Sequence, residues 1–361
     1  MATPDAPSTA DTVMKWVARA TAVLALGFAI LQLARTVGDV RDRRRQIQEL
    51  VQTQATARRA ADYEHAWTAL DDAVKVAESG GLMAKMTGQL STEARELRVA
   101  QENLAMAWLD NIRVGENQTF SSIVDRLTPV MTRGAAMAGG ERKADLIAHL
   151  GYGASLEARD GRPAGDPVQQ YRDAITIDPS NAYAHAYLGH YLLGHGAPLE
   201  EGNGEFQKAL ASGRAKDFVR ELQLAAMKNR GSEGDAGFVA VINDMRKNRE
   251  LVDKSMRADL YNVYWPICGS REDTAALTRL AALTPAADQA ATVKAFLVNQ
   301  PGIDPAQRPS RQACLATLLE AAGDRAGALA AWDAVRADAK GGDSTQLLKR
   351  ADEARRRLQA R

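Results

Sequence analysis

The sequence predicts an all-α chain: one amino-terminal membrane-spanning helix followed by an α-solenoid of paired helices. Apolar residues make up 45% of the chain but aromatics only 5%. Ala and Leu must therefore supply the packing, which favours closely spaced helices over sheets. Segments such as SIVDRLTPVM, VRELQLAAM and TAALTRLAAL space their apolar residues three and four apart, and few runs alternate with period two. Near the start, WVARATAVLALGFAILQLA runs from Trp16 to Ala34 between Lys15 and Arg35. The 361 residues leave room for roughly two domains or one elongated one. With 46 basic against 45 acidic side chains the net charge is +1, so the basic excess that wraps phosphates is missing and nucleic acid is excluded as a partner. Two cysteines, Cys268 and Cys314, are too few for a disulfide framework and lack metal-binding spacing.

Residues 1–14 form a short polar tail carrying Asp5 and Asp11. Residues 15–35 are the expected transmembrane helix: its nineteen residues from Trp16 to Ala34 cover about 28 Å, close to a hydrocarbon thickness of about 30 Å. Trp16 suits the interface, Arg19 snorkels to the headgroups, and Arg35 closes the far side. Lys15 and Arg19 face Arg35, Arg41, Arg43, Arg44 and Arg45 across the span; two against five places the rest of the chain in the cytoplasm, attached to an inner or plasma membrane by one pass. A periplasmic soluble part is the alternative. The Arg41–Arg45 cluster reads first as this topology signal and second as a dock for anionic lipid. Residues 36–60 form a basic juxtamembrane helical linker, and self-association through 40–60 stays open.

Beyond residue 60 helix follows helix, with breaks at Gly115–Gln118, Gly161–Asp166, Gly194–Gly204, Gly231–Gly237, Cys268–Glu272, Gln300–Arg308 and Lys340–Ser344, among others. Within 141–214 two units recur. In the first, Ile147 precedes Leu150-Gly151, and Tyr171, Ala174 and Pro179 follow; in the second, His185 precedes Leu188-Gly189, and Phe206 and Ala209 follow. A third copy, in 308–361, sets Leu315, Gly323, Ala328, Trp332 and Val335 in register. In 61–140, Tyr63, Ala66, Leu70 and Ala73 repeat the second-helix spacing more weakly, while 215–305 reads as divergent helical pairs. This pattern resembles the tetratricopeptide repeat family, whose unit runs W-x2-L-G-x2-Y, A-x3-F and Pro. The first unit departs by an insertion in its ARDGRPAGDP turn, and His185 and Gln312 replace the family's Trp. The carboxyl end, LLKRADEARRRLQAR, reads as a solvated basic capping helix with Leu347, Leu348, Ala351 and Leu358 inward.

The resemblance implies a concave groove lined by the first helix of each unit. Its positions fall on Asp145, Ala148, Tyr152 and Ser155, then on Tyr183, Ala186, His190 and Leu193. Asp145, Tyr152, Ser155, Tyr183 and His190 would meet a peptide or protein partner, because rigid rings give contact area at low entropy cost. Ala148 and Tyr152 stand where the family's carboxylate clamp would begin with basic and Asn side chains. His185, His190 and His195 recur every five residues and share no helix face, so no metal or other cofactor is expected. There is no G-x-x-x-x-G-K-[ST] and no G-x-S-x-G. Cys268 reads as a small buried hydrophobe before it reads as a reactive thiol. The function expected is a membrane-anchored interaction scaffold without enzymatic activity. The alternatives are an accessory or assembly factor of an envelope or secretion complex and, from another class, an unrecognised hydrolase using Cys268 or a histidine.

Overall fold

The computed structural model describes residues 9–79, 90–112, 118–269, 273–339 and 345–360, with the side chains of 9–20, 22, 23 and 33 left aside. Among the described residues every regular element is helical. The chain divides into two compact units, 1–170 and 171–361.

In the amino-terminal unit, α1 (Thr9–Arg59) is one continuous helix, followed by α2 (Tyr63–Glu78), α3 (Ser91–Asp110), α4 (Ser121–Met137) and α5 (Gly140–Arg159). The polar tail, the membrane span and the linker expected from the sequence are thus largely one helix. The membrane-spanning reading of 15–35 is overturned: among the described residues no helix is long and apolar enough to cross a membrane. The uncharged run Ala20–Ala34 covers only about 22 Å at 1.5 Å per residue, short of a hydrocarbon core of about 30 Å. The sequence places Trp16, Arg19 and Arg35 at the ends of that span, and among the described residues no such span is present. Arg35 is exposed, and the side chains of Trp16 and Arg19 lie outside the described part.

Two members of the basic cluster of α1 contact the helices that follow. Arg43 donates to the Val76 carbonyl at 3.2 Å and to Ser79 Oγ at 2.8 Å, satisfying the end of α2, where carbonyls lack helical partners. Arg44 pairs with Glu93 of α3 at 2.7 Å and Arg45 with Glu49 at 3.3 Å, while Arg41 stays exposed. Buried Val40 and Ile47 and the Arg43 contacts seat the carboxyl half of α1 on α2, and the Arg44–Glu93 pair reaches α3.

Asp62 starts α2 by accepting from the His65 N–H at 3.1 Å. A cap from far along the chain starts α4: Asp160 Oδ2 accepts the N–H groups of Phe120 at 2.6 Å and Ser121 at 2.9 Å. Its carboxyl lies below the usual carboxylate range; burial pushes it up, but these bonds and that of the Ser121 hydroxyl outweigh burial.

The carboxyl-terminal unit holds most of α6 (Pro167–Ile177), then α7 (Ala182–Gly194), α8 (Leu199–Ala211), α9 (Lys216–Lys228), α10 (Asp235–Lys247) and α11 (Lys254–Cys268). It continues with α12 (Thr274–Ala281), α13 (Ala286–Val293, prolonged by a π-helical turn over Lys294–Val298), α14 (Arg308–Ala321), α15 (Arg325–Asp338) and α16 (Thr345–Gln359). Asn181, Asp253, Asp273 and Asp324 each accept a first-turn N–H, which sets where α7, α11, α12 and α15 begin. Helices α7, α8 and α9 pack on one another, and so do α14, α15 and α16. Between these groups the order changes: α10 packs on α12 and α13 as well as on α9 and α11, and α11 reaches α14.

One core runs through the unit, with Phe206, Phe238, Tyr264 and Trp332 at its bulkiest points. The break expected over Gly194–Gly204 is shorter than the sequence suggests, because α8 begins at Leu199 and carries Gly202 and Gly204 inside it. Packing explains the helical glycine. A Cβ at Gly202 would collide with Leu193, and one at Gly189 would stand 2.8 Å from the Gly202 carbonyl, so α7 and α8 approach backbone to backbone.

Cys268 and Cys314 are joined in a disulfide, with Cα atoms 4.4 Å apart and both residues fully buried. Cys268 is buried as expected, and the bond replaces the reactive-thiol alternative with a disulfide. The bond ties the end of α11 to α14 across 46 positions, which restricts the unfolded chain by about 4 kcal/mol in the loop-closure estimate.

Candidate functional site

The expected groove residues fall into the two units. In the amino-terminal unit, α5 carries Asp145 and Ser155 half-buried, with Tyr152 at 6% exposure and Ala148 at 0%. Tyr152 is therefore a packed core ring.

His149, one position after Ala148 and fully buried, makes the notable polar contact of this helix. Its Nδ1 lies 2.6 Å from the Asp145 carbonyl and its Nε2 lies 3.0 Å from Asp110 Oδ1 on α3. Both ring nitrogens face oxygen acceptors, an arrangement that a proton on each satisfies. Burial pushes the His149 pKa down, but the Asp110 carboxylate, its hydrogen bond and the Asp145 carbonyl outweigh it, so the pKa is raised. A group raised on folding contributes its stability in full below its unfolded pKa of about 6.5 and loses it as pH rises through the folded value. The amino-terminal unit is accordingly expected to be less resistant to urea at pH 9 than at pH 6, and His149→Gln should flatten that difference. Unchanged pH dependence in the variant would refute the assignment.

In the carboxyl-terminal unit the geometry is richer. Tyr183, Tyr187 and Tyr191 recur every four residues along α7 and form a stripe of rings. Tyr187 stacks on Tyr171 with centroids 6.0 Å apart and meets Phe218 of α9 edge-on at 5.5 Å. Tyr183 tilts against the same Phe218 at 5.3 Å, and the Arg214 guanidinium stands 6.0 Å from its centroid. Tyr191 stacks on His195 at 3.8 Å. Tyr183 and His190 are half-buried, whereas Ala186 and Leu193, between and beside them on that face, are at 0% and 2% exposure. Burial, reinforced by the charge of His195, depresses the His190 pKa to about 4, so its imidazole is neutral at pH 7.

Beneath this face His185 is fixed from both sides. Its Nδ1 lies 2.6 Å from Glu205 Oε2 and its Nε2 lies 2.9 Å from the Pro179 carbonyl, so it joins α7 to α8 and to the turn before α7. Burial pushes the Glu205 carboxyl up, but hydrogen bonds from Lys208 and His185 hold it below the usual range. The face of α7 therefore has a rigid floor. It can offer apolar ring surface and a neutral imidazole, while Arg214 is paired with Asp178 at 3.8 Å.

The sequence points to Tyr183 and His190 on this face; the structure adds Tyr187, Phe218 and Arg214 around them. The spacing of four among the tyrosines was a usable signal. The arrival of Phe218 from α9 left no local trace. Among the described residues, no three His, Cys, Asp or Glu side chains come together as a metal site. Cys268, buried and bonded, carries no thiol that could act as a nucleophile. Compared with protein-family models, curated proteins and solved structures, the chain matches none.

Proposed function

We propose that the chain is a helical-repeat scaffold that captures a peptide or protein partner on the aromatic face of α7. The observation that supports this reading is the half-buried Tyr183, packed against Phe218 with Arg214 over its ring, beside the buried rings of Tyr187 and Tyr171. Rings fixed in advance lose little side-chain entropy on binding, and a neutral His190 beside them offers a hydrogen bond without the desolvation cost of a charge. A tetratricopeptide-like role fits this placement, since Tyr183 and His190 stand at two of the family's groove positions.

The test is affinity capture from the host with the tagged full chain, comparing wild type, Tyr183→Ala with His190→Ala, and the exposed control Lys254→Ala. The double variant is expected to lose at least about tenfold of the specifically captured partner, as removal of a central ring does at other interfaces. The control should retain it, and both variants should keep wild-type helicity by circular dichroism. Undiminished capture by a folded double variant would refute the reading.

A further inference from the structure

We propose that the Cys268–Cys314 bond is a redox latch that sets the docking of the carboxyl-terminal helix α16. The link is Arg350, in the first turns of α16. Its Nη1 donates to the Ile267 carbonyl at 3.0 Å and to the Gly269 carbonyl at 2.6 Å, the two residues that flank Cys268 in sequence. Its Nη2 donates to Thr317 Oγ1 at 2.7 Å, three residues after Cys314 on α14. The same guanidinium stands 5.3 Å from the centre of the Trp332 ring on α15. One side chain of α16 thus reads the relative placement of the two segments that the disulfide joins.

The local sequence explains why that placement needs a covalent tie. Pro266 lies inside α11 and supplies no backbone N–H, so the last turn of the helix lacks one rung of its ladder. Carbonyls at a helix end have no helical donor and take a basic side chain instead, which is the role Arg350 fills. A weakened last turn is held on one side by the bond to α14 and on the other by Arg350. Farther along, α16 has its own supports on α14 and α15: Arg355 with Asp333, Arg357 with Glu320, and buried Ala354 and Leu358. Ala351 is fully buried and Asp352 pairs with Arg336 of α15 at 3.0 Å, so the latch acts on residues 345–350 and leaves 351–359 seated.

The chemistry balances as thiol–disulfide exchange. The Cys268 and Cys314 thiols give up two protons and two electrons to a small-molecule disulfide such as oxidised glutathione, which leaves as two thiols. Reduction by a dithiol runs the same step backwards. Because both sulfurs are buried, exchange in either direction requires the end of α11 to open first.

The experiment is hydrogen exchange by mass spectrometry on the full chain, in four forms: oxidised wild type, wild type reduced with a phosphine, Cys268→Ala with Cys314→Ala, and oxidised Arg350→Ala. Wild type purified without reductant, unfolded in guanidinium chloride and alkylated there with iodoacetamide should carry no carbamidomethyl group. Relative to the oxidised chain, amides of 346–350 should exchange at least about tenfold faster in the other three forms, the scale of losing one charge-assisted hydrogen bond. Amides of 325–338 should change by less than about twofold. Two carbamidomethyl groups on the unreduced protein would overturn the proposal. So would wild-type protection of 346–350 in both the reduced and the double-alanine chain. If the double variant does not fold, the phosphine-reduced wild type decides alone.

Discussion

Trp332→Ala is expected to destabilise the carboxyl-terminal unit by about 4 kcal/mol, the middle of the range for deleting a buried tryptophan. The indole is 1% exposed and lies in the core with Ala328, Val335 and Leu358 among its neighbours in that cluster. Its Nε1 donates to Glu320 Oε1 at 2.6 Å, so truncation opens a cavity and removes a bond to a charged acceptor at once. The Arg350 guanidinium also loses the ring beside it. Trp332→Phe keeps a ring in the space and forfeits mainly the Nε1 bond, and should cost about 2 kcal/mol. The measurement is the urea midpoint of each variant at unchanged slope. A loss below about 1 kcal/mol for Trp332→Ala would mean that the site collapses around the gap or that the ring is not a core element.

Arg220→Ala is the second large effect, at about 3 kcal/mol. Arg220 is 3% exposed on α9, and its guanidinium serves three partners. Nε and Nη2 donate to Glu250 at 2.8 and 2.9 Å, Nη2 pairs with Asp244, and Nη1 donates to Gln223 Oε1 at 3.1 Å. Burial works against the charge, but Glu250 and Asp244 outweigh it and raise the Arg220 pKa. Removing the cation leaves Glu250, with 23% of its side chain exposed, short of a partner, whereas Asp244, at 44%, can return to water. The cost therefore falls below that of an ion pair buried on both sides. Arg220→Lys should rescue little, because a single ammonium cannot reproduce the planar fork that addresses Glu250 and Gln223 together. Full rescue by lysine, read from the same urea midpoints, would contradict this account.

The features legible in the sequence are those that depend on near neighbours. The caps at Asn181, Asp253, Asp273 and Asp324 sit where short polar residues precede apolar spacing of three and four, and the helices start there. Tyr171, Ala174, Phe206 and Ala209, the repeat positions expected to pack, are at 0–1% exposure. Gly202 misled because a glycine inside a helix is locally unfavourable; its reason lies in Leu193, on another helix. Other features join residues far apart in sequence and leave no periodic trace. Phe218 meets Tyr183 only through the register of α9 against α7, and Asp160 caps α4 from 39 and 40 positions away. The pairing of Cys268 with Cys314 is of the same kind: 46 positions apart, they meet only because α11 and α14 pack side by side. The membrane reading failed for a different reason. A window of hydropathy measures side chains one by one, while a span requires an uninterrupted length, and Arg19 shortens it from one end.

The sulfur bridge also turns part of the carboxyl-terminal unit into a closed ring. Helices α12 and α13 and the turns around them lie on a strip of backbone whose two ends are already fastened to each other. A single peptide cleavage within that strip, for instance in the turn over 299–307, would open the ring without parting the molecule. The fragments on either side would stay one covalent body until a reductant reached the bridge.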